Sequence, residues 1–455
     1  MRQSPASSMW QALDLPNAAL DRLGFRDTTA LPSVFPVTDL AAGAIGVAAL
    51  AISELLSSVH SAPAVVIDRR LSSLWFGWSI KPQGWPMPAA WDAIAGDYRT
   101  RDGWIRLHTN APRHRAAALA VLDCEESRAE VSRAAETWSA ETLETAVVAA
   151  GGCAAAMRTV ETWAEHPQGR AVAAEPLIIF DPDEPFDQRR NWLPHASNPL
   201  MGLRILDLTR VLAGPVGTRF LAGYGADVLR IDPPEWDEPG VIPEVTLGKR
   251  CARLDLQKAR DRSIFEHLLS QADVLVHGYR PGALDALGYG AKNRRAIRPG
   301  LIDVSLDAYG WSGPWRERRG FDSLVQMSSG IAAAGMTWKC SDRPTPLPVQ
   351  ALDQATGYLM AAAVIRGLVG RLQGEGPMMA RLSLARTAAL LIAMQGDHSA
   401  SVWTDATDAD YSFAIEATAW GPANRLLPAA VIEGAQMRWD RPASPLGSAD
   451  PSWAL

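Results

Sequence analysis

The sequence predicts an α/β protein: a doubly wound, parallel, Rossmann-like sheet in a large domain, joined to a smaller α/β domain. Three observations carry that prediction. Residues 201–234, MGLRILDLTRVLAGPVGTRFLAGYGADVLRIDPP, read as strand, tight turn, helix and strand. Apolar strand candidates recur downstream with helical segments between most of them. A segment of different character, one hairpin followed by helices, begins at Gly96.

In the first unit, the apolar run Leu203–Leu208 leads to Ala213-Gly214-Pro215, a short helix and a second strand, Asp227–Ile231. Pro215 suits the first helical position, where a missing N–H costs nothing, and Gly225 suits the residue past the helix end. Further strands are expected at Ala252–Leu256, Asp273–His277 and Leu301–Leu306. Open parallel sheets take ligands at the carboxyl ends of their strands, so a phosphate-bearing ligand is expected near Arg210–Pro215. Gly214 and Gly217 do not complete a dinucleotide fingerprint, although Asp232 ends the second strand where a ribose-binding acid would sit.

Upstream, Asp39 opens an alanine-rich run, Leu40–Leu56, interrupted by Ser53 and Glu54. It is short for a membrane span and reads as a buried helix, followed by a short strand, Ala64–Ile67, and a helix near Leu71–Trp78. GDYRTRDGWIRLHTN from Gly96 reads as a hairpin, with Arg-Asp-Gly turning between Tyr98 and Trp104. Helices are expected at Arg113–Leu122, Ser127–Ala134 and Ala140–Ala150, the last stopped by Gly151-Gly152. The expected organisation is therefore a partial large-domain copy over 1–95, a small α/β domain over 96–180 and a linker over 181–200. A large domain over 201–395 and a wrapping segment over 396–455, rich in Pro, Arg and Trp from Gly421 onward, complete it.

The two alanine-rich helices resemble each other. PVTDLAAGAIGVAALAI around Asp39 and QALDQATGYLMAAAVI around Asp353 align at a constant offset, matching Asp39 with Asp353, Ala41 with Ala355, Gly43 with Gly357 and Pro63 with Pro377. An internal duplication is the expectation.

With 455 residues, 47% of them hydrophobic, and a net charge of −6, the chain has room for two or three domains and lacks the basic footprint of a nucleic-acid binder. Cys124, Cys153, Cys251 and Cys340 are scattered without CxxC, and HExxH is absent, which argues against a zinc site and for a reducing compartment. The first twenty residues hold no continuous apolar core of signal-peptide type. A cytoplasmic protein with no membrane or nucleic-acid partner is expected.

Two roles fit Asp353. It can cap the helix that follows it, or it can be a carboxylate nucleophile that attacks an acyl carbon, with backbone N–H groups holding the oxyanion. Gly248-Lys249-Arg250 and Tyr279-Arg280-Pro281-Gly282 place cations near strands, as phosphate partners or as a solvated face. Gly310-Trp311-Ser312-Gly313 lacks nucleophile-elbow spacing, and Trp315–Arg319 reads as a solvated loop.

The motifs LRILDLTRVLAGPVGTRFLAGYGADVLRIDPP, GKRCARLDL, ADVLVHGYRPGALDALGYG, DVSLDAYGWSGPW, RGFDSLVQMSSGIA and LDQATGYLMAAAVI resemble, in order and spacing, the class III coenzyme A transferases of CaiB/BaiF type. The resemblance runs from about Gly202 to Ile392, and PASPLGSADPSW is similar to the family's C-terminal segment. It implies transfer of CoA from an acyl-CoA to a carboxylic acid through mixed anhydrides and an aspartyl-CoA thioester, with Asp353 as nucleophile. It implies CoA contacts at Arg210, Leu212 and Ala213, at Lys249 and Arg250, and around Arg280, with no metal and no permanently bound cofactor. It also implies an interlocked homodimer. Racemases of the superfamily carry a histidine where this chain has Phe321, which places an acyl-CoA racemase behind the transferase. A catalytically silent acyl-CoA-binding protein is the other alternative, and a nicotinamide oxidoreductase stands last. The family's small domain, expected after Ile392, is missing there. A segment resembling it occupies residues 96–175, so the domain order is rearranged and partly duplicated. Asp353, directly behind the nucleotide-binding half, is the expected nucleophile; Asp39 is expected to be a structural cap.

Overall fold

In the computed structural model, which describes residues 6–59, 61–182, 192–376, 378–395 and 402–454, the strand–helix alternation closes into one seven-stranded sheet. Its strands are β1 (Ile179–Pro182), β2 (Arg204–Leu208), β3 (Asp227–Asp232), β4 (Lys249–Arg253), β5 (Val274–His277), β6 (Ile302–Asp307) and β7 (Met378–Ser383). They lie in the order β4-β3-β2-β5-β6-β7-β1. β2 to β7 are parallel, and β1 alone runs antiparallel, against β7. The chain winds outward from β2 to one edge, returns, and winds outward from β5 to the other. Strand order therefore reverses between β2 and β5, and the crevice beyond their carboxyl ends is the natural ligand position.

Two boundaries differ from expectation. The strand expected at Ala252–Leu256 is Lys249–Arg253, registered against Val228–Asp232. Lys249 reads as polar but is buried by an ion pair inside the sheet, so the polar signal hid a strand position. Ile179–Pro182, expected to close the small domain, is instead the edge strand of the large sheet. Its partner lies some two hundred residues away, beyond the reach of local pattern. Of the expected linker, residues 183–191 lie outside the described residues, as do residues 396–401 of the expected wrapping segment.

The helix carrying Asp39 spans Val37–Ser57 and the helix carrying Asp353 spans Ala351–Leu372. They pack against each other, and both are rich in fully buried small residues such as Ala48, Ala49, Ala361 and Ala362. Among the described residues, Val37–Ser57 is the one helix long and apolar enough to cross a membrane, and 89% of its most apolar stretch is buried inside the protein. Each of the two helices is followed by a strand and a shorter helix: Val65–Asp68 with Arg69–Trp75, and β7 with Leu384–Ala393. The repeat expected from sequence thus extends over three consecutive elements.

The C-terminal region does more than wrap. Its strand Gly421–Arg425 pairs with Ile80–Pro82, and Ala430–Ile432 pairs with Val65–Asp68. Glu244, fully buried, fastens the segments around Ser79 and Arg425 to the large domain. It accepts from the Ser79 N–H (3.0 Å), the Ser79 hydroxyl (2.6 Å), Arg425 (3.1 Å) and Arg219. A carboxylate buried in its charged form needs such a set of partners.

The small domain is a three-stranded antiparallel sheet, Gly96–Arg99, Trp104–Leu107 and Ala154–Ala156. Helices Pro112–Leu122, Arg128–Ala135 and Ala140–Ala149 cover it, with Ser127 and Ser139 capping the last two. Gln168 and Glu175 lock it to the large domain. The Gln168 amide donates to the Tyr309 and Ser312 carbonyls (both 2.8 Å), and Glu175 accepts from the N–H groups of Trp311 and Ser312. Trp315–Arg319 is not a solvated loop throughout: Arg316 and Glu317 are exposed, while Arg318 lies over the Trp315 ring at 3.9 Å and pairs with buried Glu144 at 2.8 Å.

Candidate functional site

Asp353 sits in the first turn of its helix, buried, at the floor of two cavities. It does not cap that helix. The N-cap is Gln350, which makes no side-chain cap bond. Asp322 supplies the cap from another segment, accepting from the N–H groups of Leu352 (2.8 Å) and Asp353 (2.9 Å) and from the Gln326 amide. Among the described residues nothing donates a hydrogen bond to the Asp353 carboxyl. Burial, and then the neighbouring Asp322 charge, hold its pKa well above the usual carboxylate range. Burial pushes Asp322 up to about 6, restrained by its backbone and Gln326 donors. The cap is thus provided by one carboxylate and the other is left free.

The turn after β2 meets Asp353 because two helices approach without side chains between them. A Cβ on Gly357 would lie 2.2 Å from the Ala213 carbonyl, and one on Gly217 would lie 2.5 Å from the Gly357 carbonyl. These glycines let the helix Ala213–Gly223 cross the Asp353 helix backbone to backbone. Val211 in that turn has φ +63, a strained conformation for a β-branched residue, pinned by its N–H to Glu238 (2.8 Å). Leu212 is the N-cap residue of the helix and has no side-chain cap bond.

The first cavity, about 330 Å³, opens at the point where strand order reverses. Its wall combines Arg210, Ala213 and Arg280 from the loops after β2 and β5 with Arg113 from the small domain and Arg318 and Arg319. Among the described residues, Arg113, Arg210, Arg280 and Arg319 have no carboxylate partner. Arg210 is held instead by the Tyr279 hydroxyl (3.0 Å) and by the rings of Trp236 and Tyr279, at 4.9 and 5.0 Å. Asp307 lines the same cavity, its carboxyl raised well above the usual range by burial. Guanidinium groups left without counterions around one cavity make an anion site.

Arg210, Ala213, Arg280 and Asp353 come together there, and Leu212 lines the second cavity. Lys249 and Arg250 come to neither. Lys249 is 1% exposed, its ammonium bound to Asp207 (2.9 Å) and to the Pro215 carbonyl (2.8 Å). Arg250 is tied to Asp227 (2.9 Å) and the Ser452 carbonyl. These two expected CoA contacts line neither cavity: their strand is an edge strand of the sheet and each charge is paired with a carboxylate. Asp39 is not the cap expected of it: the N-cap of its helix is Pro36, with no side-chain cap bond, and Asp39 is paired with Arg69 at 2.7 Å in a third cavity.

The second cavity, about 450 Å³, adjoins Asp353 on the side of Trp78, Trp91 and Phe321. Sequence reasoning missed its aromatic wall, and missed Arg113, Arg319, Asp322, His108 and His114. Asp322 stood within the recognised RGFDSL motif. Arg319 opens that same motif and His108 lies in the hairpin segment from Gly96, whereas Arg113 and His114 come from a distant helix and left no local signal. The His108 ring stacks on Phe321 at 3.7 Å and His114 meets it edge-on at 6.1 Å. Burial lowers these imidazoles to about 3 and about 4, so both are neutral at physiological pH. Among the described residues no group of three His, Cys, Asp or Glu side chains is placed to hold a metal ion.

Residues 200–410 match the model of CoA-transferase family III, so the resemblance in the motifs holds over that span. The acetyl-coenzyme A transferase nodX of Hypoxylon pulicicidum is 32% identical over 254 residues, covering 53% of this chain and 42% of that protein. The probable fatty acyl-CoA transferase Rv3272 of Mycobacterium tuberculosis is 32% identical over 189 residues, 38% of this chain and 48% of that one. A crystal structure of Rv3272 aligns with a TM-score of 0.40 and 29% identity over 42% of this chain and 55% of that chain. The chain spans about half the length of these curated relatives.

Proposed function

We propose, on the match of residues 200–410 to the CoA-transferase family III model, that the chain transfers coenzyme A from an acyl-CoA to a carboxylic acid, with Asp353 as the covalent nucleophile. The observation that carries the reading is the position of Asp353: buried, uncapped and unpaired, between an arginine-lined cavity and an apolar one. The arginines take the anionic phosphates of CoA, and the apolar cavity takes the acyl group.

An Asp353 oxygen attacks the thioester carbonyl and the CoA thiolate leaves, giving a mixed anhydride. The thiolate then attacks the aspartyl carbonyl, releasing the donor acid and forming aspartyl-CoA. The acceptor carboxylate attacks that carbonyl and expels the thiolate. Thiolate attack on the new acyl carbonyl delivers the product and restores the Asp353 carboxylate. Each acylation removes a charge from a poorly solvated position, so burial that raises the Asp353 pKa also favours its covalent states. The N–H groups of Ala213 and Gly214 have no intrahelical partners and are the donors available to an oxyanion.

Incubation with an acyl-CoA and trapping with hydroxylamine or borohydride is expected to modify Asp353, as read by peptide mass. Full turnover by Asp353→Ala with a proven substrate pair would sink the assignment. A second reading draws on His108, which stands against Phe321 in the cavity that holds Asp353. Two acid/base groups there suit proton exchange at an acyl α-carbon. Deuterium entering the α-position without carboxylate exchange would select it.

A further inference from the structure

We propose that the cavity beyond Asp353 selects bulky, uncharged acyl groups, aromatic or branched aliphatic, and excludes dicarboxylates. The inference rests on the transferase reading and adds its substrate class.

Size and lining point the same way. About 450 Å³ holds a ring-sized acyl group with room to spare, and an acetyl, formyl or oxalyl group would leave most of it empty. Phe76, Trp78, Trp91, Pro348 and Val349 form its walls. Trp78 and Trp91 are 41% and 39% exposed, wide apolar surfaces that an acyl group would cover.

Charge decides against a second carboxylate. Five arginines line the neighbouring cavity, yet among the described residues that line this one there is neither Lys nor Arg. Its charged groups beyond Asp353 are all acidic: Asp92, Asp237 and Glu238. All three already accept hydrogen bonds, Asp237 from the Glu238 N–H (2.9 Å). Asp92 accepts from the N–H groups of Ile94 and Ala95 (both 2.8 Å), and Glu238 accepts from Val211, Trp236 and Arg230. Arg106, over the Trp91 ring at 4.8 Å, is paired with Asp97 at 2.8 Å. The distal carboxylate of a succinyl or glutaryl group would lose water there, gain no cation and face like charge.

The test compares phenylacetyl-CoA, succinyl-CoA and an ω-aminoacyl-CoA in single-turnover modification of Asp353 by the full chain. The three share the CoA half, so their ratio isolates the cavity. Phenylacetyl-CoA is expected to react at least roughly tenfold more efficiently than either charged thioester. Trp91→Lys is expected to shift the ratio towards succinyl-CoA by about tenfold, and Trp78→Ala to lower phenylacetyl-CoA use without helping succinyl-CoA. Equal or better use of a charged thioester, or a ratio unmoved by both variants, overturns the proposal while the transferase reading stands. Absence of an Asp353 adduct with every thioester overturns both.

Discussion

Asp39 and Asp353 begin equivalent helices and behave as different chemical groups. Each is an aspartate in the first turn of an alanine-rich helix that leads to a strand and a second helix. At the offset that aligns them, Arg69 corresponds to Ser383. Arg69 holds the Asp39 carboxylate at 2.7 Å, whereas Ser383 caps its own helix by accepting from the Arg386 N–H. One copy neutralises its aspartate; the other leaves it buried beside a like charge. A duplicated element can thus keep its packing role in one copy while a single substituted partner changes its chemistry in the other.

The largest expected difference is covalent. Asp353→Asn is expected to cut turnover by roughly a thousandfold or more, and Asp39→Asn to leave it within about twofold. Measuring exchange with one acyl-CoA and acid pair for both variants decides it. Comparable losses would mean that the two helices share the work.

The stability of the same two variants is expected to move in opposite directions. The folded state holds the Asp353 proton more tightly than the unfolded chain does, because burial raises its pKa. Stability is therefore lost as pH rises from the ordinary carboxylate range through the raised value. Asp353→Asn removes that loss, so the variant is expected to melt above the parent at neutral pH and to show a flatter pH dependence. Asp39→Asn leaves Arg69 buried without its partner, a cost of roughly 2–3 kcal/mol. Denaturant titrations from acid to neutral pH read both signs. A destabilised Asp353→Asn would place the carboxylate among the fold's supports.

Much of this contrast is visible in the sequence, and the reason for the rest is physical. The strand–turn–helix at Met201 and the two aspartate helices are local patterns of period, and the structure holds them with shifts of a few residues, although neither aspartate caps its helix. The match of Asp39 to Asp353 needs only a constant offset. What makes Asp353 chemically distinct is nonlocal: Asp322 caps its helix, and Arg113, Trp78 and Trp91 arrive from segments more than two hundred residues upstream. Lys249 shows the converse error. A cation beside a strand resembles a phosphate ligand until the buried partner, Asp207, is known.

The arginine cavity sharpens the comparison further, since among the described residues the Asp39 cavity has only Arg69, already committed. Arg280→Ala is expected to weaken acyl-CoA binding by about tenfold, more at low salt than at high salt. Arg250→Ala should leave binding unchanged, because its charge is spent on Asp227. Calorimetric titration with CoA at two ionic strengths separates them, and equal losses would restore the edge strand to the CoA site.

The smallest expected effect asks what silences Asp39. Arg69→Ser, made in the Asp353→Asn background, places at position 69 the residue type that stands at the corresponding position, Ser383, of the other copy. If the ion pair alone were responsible, acyl-CoA would now modify Asp39. The structure argues otherwise. The Asp39 cavity, about 380 Å³, is lined by Pro32, Phe35, Trp338 and Met394 and lies away from the loops after β2 and β5. A freed carboxylate there has no arginine cluster to hold the phosphates of a thioester, so proximity, the larger part of the rate, is missing. No adduct at Asp39 is expected by peptide mass. An adduct would show that the ion pair is the whole difference between the copies.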